Sequence, residues 1–150
     1  MISSAAAAGH IKCRRVSFIY QVQMRFSDAD AMGHVNHARY LTYLEDARVA
    51  LLAHMAGDSP RLQVADVILA RIEMDYLRPL QPSLEPVTVT ITVGEIRNKS
   101  YTLDYTIEHE GELAARASSV VVAYDYEAQS SRPLTDVERQ RLQEITGTGS

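Results

Sequence analysis

Cysteine is nearly missing from this sequence: Cys13 is the only one in 150 residues, which excludes an intrachain disulfide and fits a reducing compartment. An excess of positive charge is missing too. Lys and Arg total 15 against 19 Asp and Glu, a formal charge of -4, so the electrostatic footprint of a nucleic-acid binder is not there. No segment approaches the roughly 20 apolar residues of a membrane span. The N-terminal MISSAAAAGHIKCRR carries its basic residues after a short alanine run, not before an apolar stretch, and so reads poorly as a secretory signal. A cytoplasmic protein with neither membrane nor nucleic acid as partner is expected. The sequence also contains no G-x-S-x-G elbow and no G-x-G-x-x-G turn, the usual marks of a serine hydrolase and of a dinucleotide enzyme.

What is present suits one domain. A chain of this length with 46% hydrophobic residues can bury a single sizeable core. The sequence divides into an N-terminal tail over 1–12, a folded domain over 13–146 and a C-terminal tail over 147–150, the tails being small and polar in composition.

The hydrophobic period changes twice between the tails. Val16, Phe18, Tyr20, Val22, Met24 and Phe26 alternate as in a half-buried strand. From His37 to Ala56 the period becomes helical: Tyr40, Leu44, Ala47, Leu51 and Met55 recur at spacings of three and four, with Asn36 as N-cap and Gly57 as stop. Such a helix runs roughly 30 Å. Beyond Pro60 the period returns to two. Ile68, Ala70, Ile72, Met74 and Tyr76 are expected on one face and Arg71, Glu73 and Asp75 on the other, until Pro79 and Pro82 end the run. Val87 to Val93 and Tyr101 to Ile107 form a hairpin through Arg97-Asn98-Lys99-Ser100; Leu113 to Tyr126 is the last long strand, and Thr135 to Ile145 a short charged helix capped by Thr135 or Asp136. Hairpin-linked strands imply an antiparallel sheet, whose apolar face the long helix must cover.

Just before that helix, Phe26-Ser27-Asp28-Ala29-Asp30-Ala31-Met32-Gly33-His34-Val35-Asn36-His37 gathers two aspartates, a glycine and two histidines, and Tyr40-Leu41 and Tyr43-Leu44-Glu45-Asp46-Ala47-Arg48 follow. This stretch resembles the 4-hydroxybenzoyl-CoA thioesterase-like acyl-CoA thioesterases, and the likeness continues through Asp75-Tyr76-Leu77-Arg78-Pro79-Leu80 into the Lys99-Ser100 hairpin. The resemblance implies an α+β hot-dog fold: an antiparallel sheet of about five strands wrapped around one long helix, with a short C-terminal helix besides. It also implies hydrolysis of acyl-CoA to free acid and coenzyme A, without a cofactor.

Thioester hydrolysis needs a nucleophile or base on one face of the carbonyl and positive dipoles where its oxygen becomes negative. Because a thiol's pKa lies near 8.5, a strong general acid is less necessary than for an alkoxide. A carboxylate at a helix entrance and the unpaired N–H groups of that helix can supply both needs. In the resemblance the second aspartate is the catalytic carboxylate, which makes Asp30 the first candidate, as nucleophile or general base. Gly33, Asn36 and His37 would shape the helix start and its oxyanion-stabilising N–H groups, and the His37 imidazole is a further candidate group. Asp28 reads as a turn-maker bonded to nearby backbone.

Glu45 is the rival acid, at a position similar to the helix-borne carboxylate of another hot-dog branch; its plainer role is pairing with Arg48 or Arg39. Arg97, Lys99 and Ser100, a hairpin cation pair beside a hydroxyl, are candidates for gripping coenzyme A phosphates. A metal is not expected. No zinc spacing such as H-E-x-x-H occurs. A calcium loop starting at Asp28 would place Met32 and Arg39 where oxygen ligands are required. Cys13, beside Lys12, Arg14 and Arg15, has no positioned partner for nucleophilic work. The unpaired edges of such a sheet favour a homodimer or homotetramer with sites at subunit interfaces. Alternatives from other classes are a non-catalytic acyl-CoA or acyl-carrier-binding module and a hot-dog enoyl-CoA hydratase.

Overall fold

A computed structural model describes residues 16–57 and 66–146. The proposed tails over 1–12 and 147–150, and Cys13, lie outside the described residues. In chain order the elements are β1 (Phe18–Val22), a 3-10 turn (Phe26–Asp28), α1 (His37–Met55), β2 (Val67–Tyr76), β3 (Val87–Ile96), β4 (Ser100–His109), β5 (Glu112–Asp125), β6 (Ser130–Ser131) and α2 (Asp136–Thr146). The strands are antiparallel in the order β1-β3-β4-β5-β2, with the two-residue β6 paired to β5. This is the expected hot-dog arrangement, with β1 and β2 as its edges.

Alternation along β3 and β4 sends Val87, Val89, Ile91 and Val93, and Tyr101, Leu103, Tyr105 and Ile107, onto one buried face. Helix α1 covers that face over β1 and β3, and α2 packs on β3 and touches α1. From α1 the face presents Tyr40, Tyr43, Leu44, Ala47 and Leu51, all buried. Truncating Leu44 or Leu51 to alanine would leave a void in this core, typically costing about 2–5 kcal/mol. No helix of the described residues is long and apolar enough to cross a membrane.

Two expectations are corrected. The first strand is shorter than Val16 to Phe26. Val22 pairs with Val87, the first residue of β3, so no ladder partner remains beyond it; Met24 is still buried, but Phe26 is 96% exposed on the 3-10 turn. Nor do Ile68 and Ile72 share a face. The β2–β5 register shifts between Leu69 and Arg71, and the extra residue reverses the in-out phase. Val67 before the bulge and Ile72 and Met74 after it pack on the core, while Ile68 is left 42% exposed.

Helix ends follow the sequence closely. The Asn36 side chain accepts from the Ala38 N–H, and Gly57 takes the left-handed conformation at φ 81° after the last turn. For α2 the cap is Thr135: its Oγ1 accepts from the Glu138 N–H, and the Glu138 carboxylate accepts from the Thr135 N–H, a reciprocal box.

Candidate active site

The segment from Arg25 to Asn36 forms a loop tied at several points. The Ala29–Val35 bridge closes its stem. Within it the Asp30 N–H donates to the His34 carbonyl and the Gly33 N–H to the Asp30 carbonyl. Gly33 sits at φ 79° with open space around its α-carbon, so the backbone conformation is what asks for glycine there. The Val35 N–H reaches the Leu80 carbonyl, and the Asn36 N–H the Asp28 carbonyl, each at 2.8 Å. These bonds fasten the loop to the strand exit after β2 and to its own beginning.

Asp28 anchors the loop from beneath. It is buried, and its Oδ2 accepts from the Arg25 N–H at 2.9 Å and from the Tyr43 hydroxyl at 2.7 Å. Arg39 lies 3.8 Å from the other oxygen. The turn-making role expected of Asp28 is therefore seen, with a tyrosine from the helix added to it. Burial, and then the bond to Asp28, push the Tyr43 phenol well above its ordinary range. That phenol stays neutral, as a donor to a buried carboxylate must.

Asp30 is placed differently. It is exposed; its Oδ1 accepts from the Met32 N–H at 2.9 Å, and Oδ2 has no partner among the described residues. The carboxylate borders a cavity of ≈ 360 Å³ whose other walls include Asp28, Asn36, Ala38, Arg39 and Thr42. One oxygen is thus held while the other faces open space at the start of α1.

The helix-start donors are not equally available. The Gly33 and Asn36 N–H groups are committed to Asp30 and Asp28, and the Asn36 side chain caps Ala38. The His37 N–H has no acceptor among the described residues. His37 itself is exposed, its carbonyl accepts from the Tyr76 hydroxyl at 3.2 Å, and its ring stands edge-on to Tyr76 with centroids 6.2 Å apart. Its side chain faces β2 and does not line the Asp30 cavity. Tyr40 completes this end: its hydroxyl donates to the Arg78 carbonyl and accepts from the Leu80 N–H, pinning the chain after β2 onto the helix.

Glu45 is exposed two turns along α1. The pairing with Arg39 or Arg48 does not form: Arg39 turns to Asp28, and Arg48 donates to the Tyr105 hydroxyl, which is itself bonded to Ser119. Glu45 has no ion-pair partner among the described residues.

Arg97, Lys99 and Ser100 lie at the opposite end of the sheet. Tyr76, beside His37, pairs with Ala115, which is level with Ile107 on β4; Ser100 is at the other end of that strand, roughly 23 Å away. Arg97 pairs with Glu95 at 3.2 Å, and its carbonyl accepts from Arg139, while the exposed Lys99 side chain has no partner among the described residues. One chain alone does not bring this hairpin to Asp30. Arginines that do stand at the Asp30 end include Arg39 and Arg78, the latter paired with Glu112. Neither stands out in the sequence as a phosphate ligand, because only the folded loop brings them there. Among the described residues no three His, Cys, Asp or Glu side chains cluster as a metal site would need.

Comparison with known proteins fits this geometry. The model of the thioesterase-like superfamily matches residues 24–142. The chain is similar to the long-chain acyl-CoA thioesterase FadM of Escherichia coli (strain K12), 31% identical over 83% of this chain and 96% of that protein. It is also similar to a thioesterase from Thermus thermophilus solved in complex with coenzyme A and Zn, with TM-score 0.76 and 29% identity over 88% of this chain and 96% of that one. A protein described as a predicted thioesterase from Bacillus stearothermophilus superposes with TM-score 0.80 at 24% identity, over 87% and 96% of the two chains, and speaks for the fold alone.

Proposed function

The chain belongs to the thioesterase-like superfamily, and from that premise we propose that it hydrolyses acyl-CoA thioesters to the free acid and coenzyme A, with Asp30 as the working carboxylate. The observation that carries this reading is the Asp30 side chain itself: one oxygen fixed by the Met32 N–H, the other without a partner among the described residues, at a cavity by the helix start. Asp30 either takes a proton from the attacking water or attacks the carbonyl carbon itself, forming a mixed anhydride that water then hydrolyses. In both routes the C–S bond breaks, the sulfur leaves as a thiolate, and the carbonyl oxygen carries negative charge on the way. The His37 N–H, the uncommitted donor at the helix start, is the group we assign to that oxygen, with Gly33 and Asn36 holding the backbone that presents it.

Glu45 supports a second placement of the acid, since its carboxylate is exposed and has no ion-pair partner among the described residues of the chain. Coenzyme A is the carrier that the similarity to FadM and to the coenzyme A complex favours. Arg97, Lys99 and Ser100 reach an Asp30 site only across a subunit interface, so their assignment to the phosphates rests on oligomerisation. The β2 edge favours such an interface: Ile68, Leu69, Tyr76 and Leu77 are between 39% and 52% exposed along and just beyond it, apolar positions on either side of the exposed Arg71, Glu73 and Asp75 that a second copy pairing with this edge would cover. A homodimer is the smallest assembly that does so.

The test is thiol release from a panel of acyl-CoAs, straight-chain and aromatic. Release from at least one with turnover above the spontaneous rate is expected. Tight binding without release would support the acyl-binding module instead, and hydration of an enoyl-CoA with its thioester intact would support the hydratase.

A further inference from the structure

At the end of α1 remote from Asp30, the two helices and the beginnings of β2 and β4 enclose a cavity of ≈ 190 Å³. Leu52, Met55, Val67, Leu134 and Leu142 form its apolar walls, and Tyr101 lines it with them. Leu52 is fifteen residues past His37 on the same helix, roughly 22 Å along its axis. The cavity is therefore separate from the Asp30 site.

Tyr101 is the unusual member of this wall. It is 2% exposed, yet its hydroxyl has no hydrogen-bond partner among the described residues. Burial pushes its phenol up, so it persists as a neutral O–H. The hydroxyl oxygen is not sealed into the core, since the fully buried side-chain polar atom without a partner among the described residues is His109 Nε2; an acceptor entering the cavity that Tyr101 lines can therefore meet it. The charged groups at the rim are already matched: Arg132 bonds Glu138 at 2.8 Å, and Arg141 lies 3.5 Å from Glu144. Among the described residues no uncompensated charge is left there to hold an ionised ligand. Size sets the remaining limit, since an aliphatic cavity of about 150 Å³ takes up benzene.

We infer that this cavity binds a small uncharged molecule of about six to eight carbons bearing one hydroxyl or carbonyl oxygen, its hydrocarbon body against Leu52, Met55, Leu134 and Leu142 and its oxygen accepting from the Tyr101 hydroxyl. Nothing in it depends on the thioester chemistry. Such a ligand would tie α1 to α2 and to β4.

The experiment titrates the full chain with 1-hexanol, reading the Met55 methyl resonance and the thermal midpoint. A saturable methyl shift and a raised midpoint are expected. Tyr101→Phe, which deletes the donor and nothing else, should weaken hexanol by about fivefold. Ala56→Leu, an exposed cavity-lining position at the helix end, should fill the space and abolish the shift. Hexanoate at pH 7 should bind at least about tenfold more weakly than hexanol, because its charge finds no partner. A shift that never saturates, or equal affinity in Tyr101→Phe, would overturn the site and leave a cavity holding water only. Hexanoate binding as tightly as hexanol would overturn the choice of an uncharged ligand. Turnover is not the readout, so failure of the hydrolase reading leaves this result standing, and the reverse holds too.

Discussion

Replacing Asp28 by alanine tests whether the loop that carries Asp30 is built as described. Asp28 accepts from the Arg25 N–H and from the buried Tyr43 hydroxyl, and bonds to an ionised acceptor are worth about 1.5–3 kcal/mol each. Losing both, with the Tyr43 hydroxyl left unpaired in the core, should cost about 3–5 kcal/mol, the range seen when one member of a buried charged pair is removed. For a chain of this size each kcal/mol moves the thermal midpoint by about 2–4 °C, so a fall of roughly 6–20 °C is expected. Tyr43→Phe removes one of the two bonds and should cost less. Combined with Asp28→Ala it should add little, because the hydroxyl that Asp28→Ala strands is then gone. Urea unfolding of the two single variants and the double variant gives the coupling directly, expected at about 1–3 kcal/mol. An Asp28→Ala loss below about 1 kcal/mol, or strictly additive singles, would refute the argument that Asp28 anchors the loop from the core side.

Three further outcomes follow from other parts of the molecule. Gly94→Ala places a β-carbon 2.3 Å from Thr102 Oγ1, a hydroxyl engaged by the Glu95 N–H; overpacking and loss of that bond should cost about 1–3 kcal/mol in urea unfolding, recovered in part by Thr102→Ala, which removes the clashing oxygen. Burial alone would raise the Glu138 carboxyl, but the Arg132 guanidinium and the bonds to Thr135 outweigh it and hold the group below its ordinary 4.5. Its stabilising contribution is thus present above pH 4.5 and lost as pH falls through the lower, folded value; Glu138→Gln should flatten the pH dependence of stability in that acidic window, and an unchanged profile would contradict the pairing. If Arg97 and Lys99 hold coenzyme A phosphates across an interface, the Arg97→Ala, Lys99→Ala double variant should raise KM several-fold, more at low salt than at high, with kcat nearly intact. An unchanged KM would move phosphate recognition to the Asp30 end, where Arg39 and Arg78 stand.

Much of the frame was legible because the signals were local. The period of three and four from Tyr40 to Met55, bracketed by Asn36 and Gly57, marks α1 to within a residue of its observed end. The alternation of Val87 to Val93 and Tyr101 to Ile107 marks the central hairpin. What failed was non-local. The bulge between Leu69 and Arg71 adds one residue without changing composition, so nothing in the run announces that Ile68 and Ile72 part company. The bond between Asp28 and Tyr43 spans fifteen residues, and two helical turns plus a loop must fold before it can be seen. The motif points to Asp30 but does not show that Gly33 and Asn36 have their N–H groups occupied, which singles out His37 as a donor. Nor does the sequence show that the Arg97-Lys99-Ser100 turn lies at the far end of β4 from Tyr76, because strand register fixes that separation.

The most direct measurement of the central claim is thiol release by Asp30→Asn beside Glu45→Gln, on an acyl-CoA that the unaltered protein hydrolyses. Asp30→Asn keeps the oxygen that accepts from the Met32 N–H and removes the charged, basic carboxylate. Its kcat should fall at least about 10²-fold with folding and assembly intact, while Glu45→Gln stays within a few-fold of the unaltered protein. If Asp30→Asn is mild and the collapse follows Glu45→Gln, the working acid is on the helix, and the assignment of Asp30 is wrong.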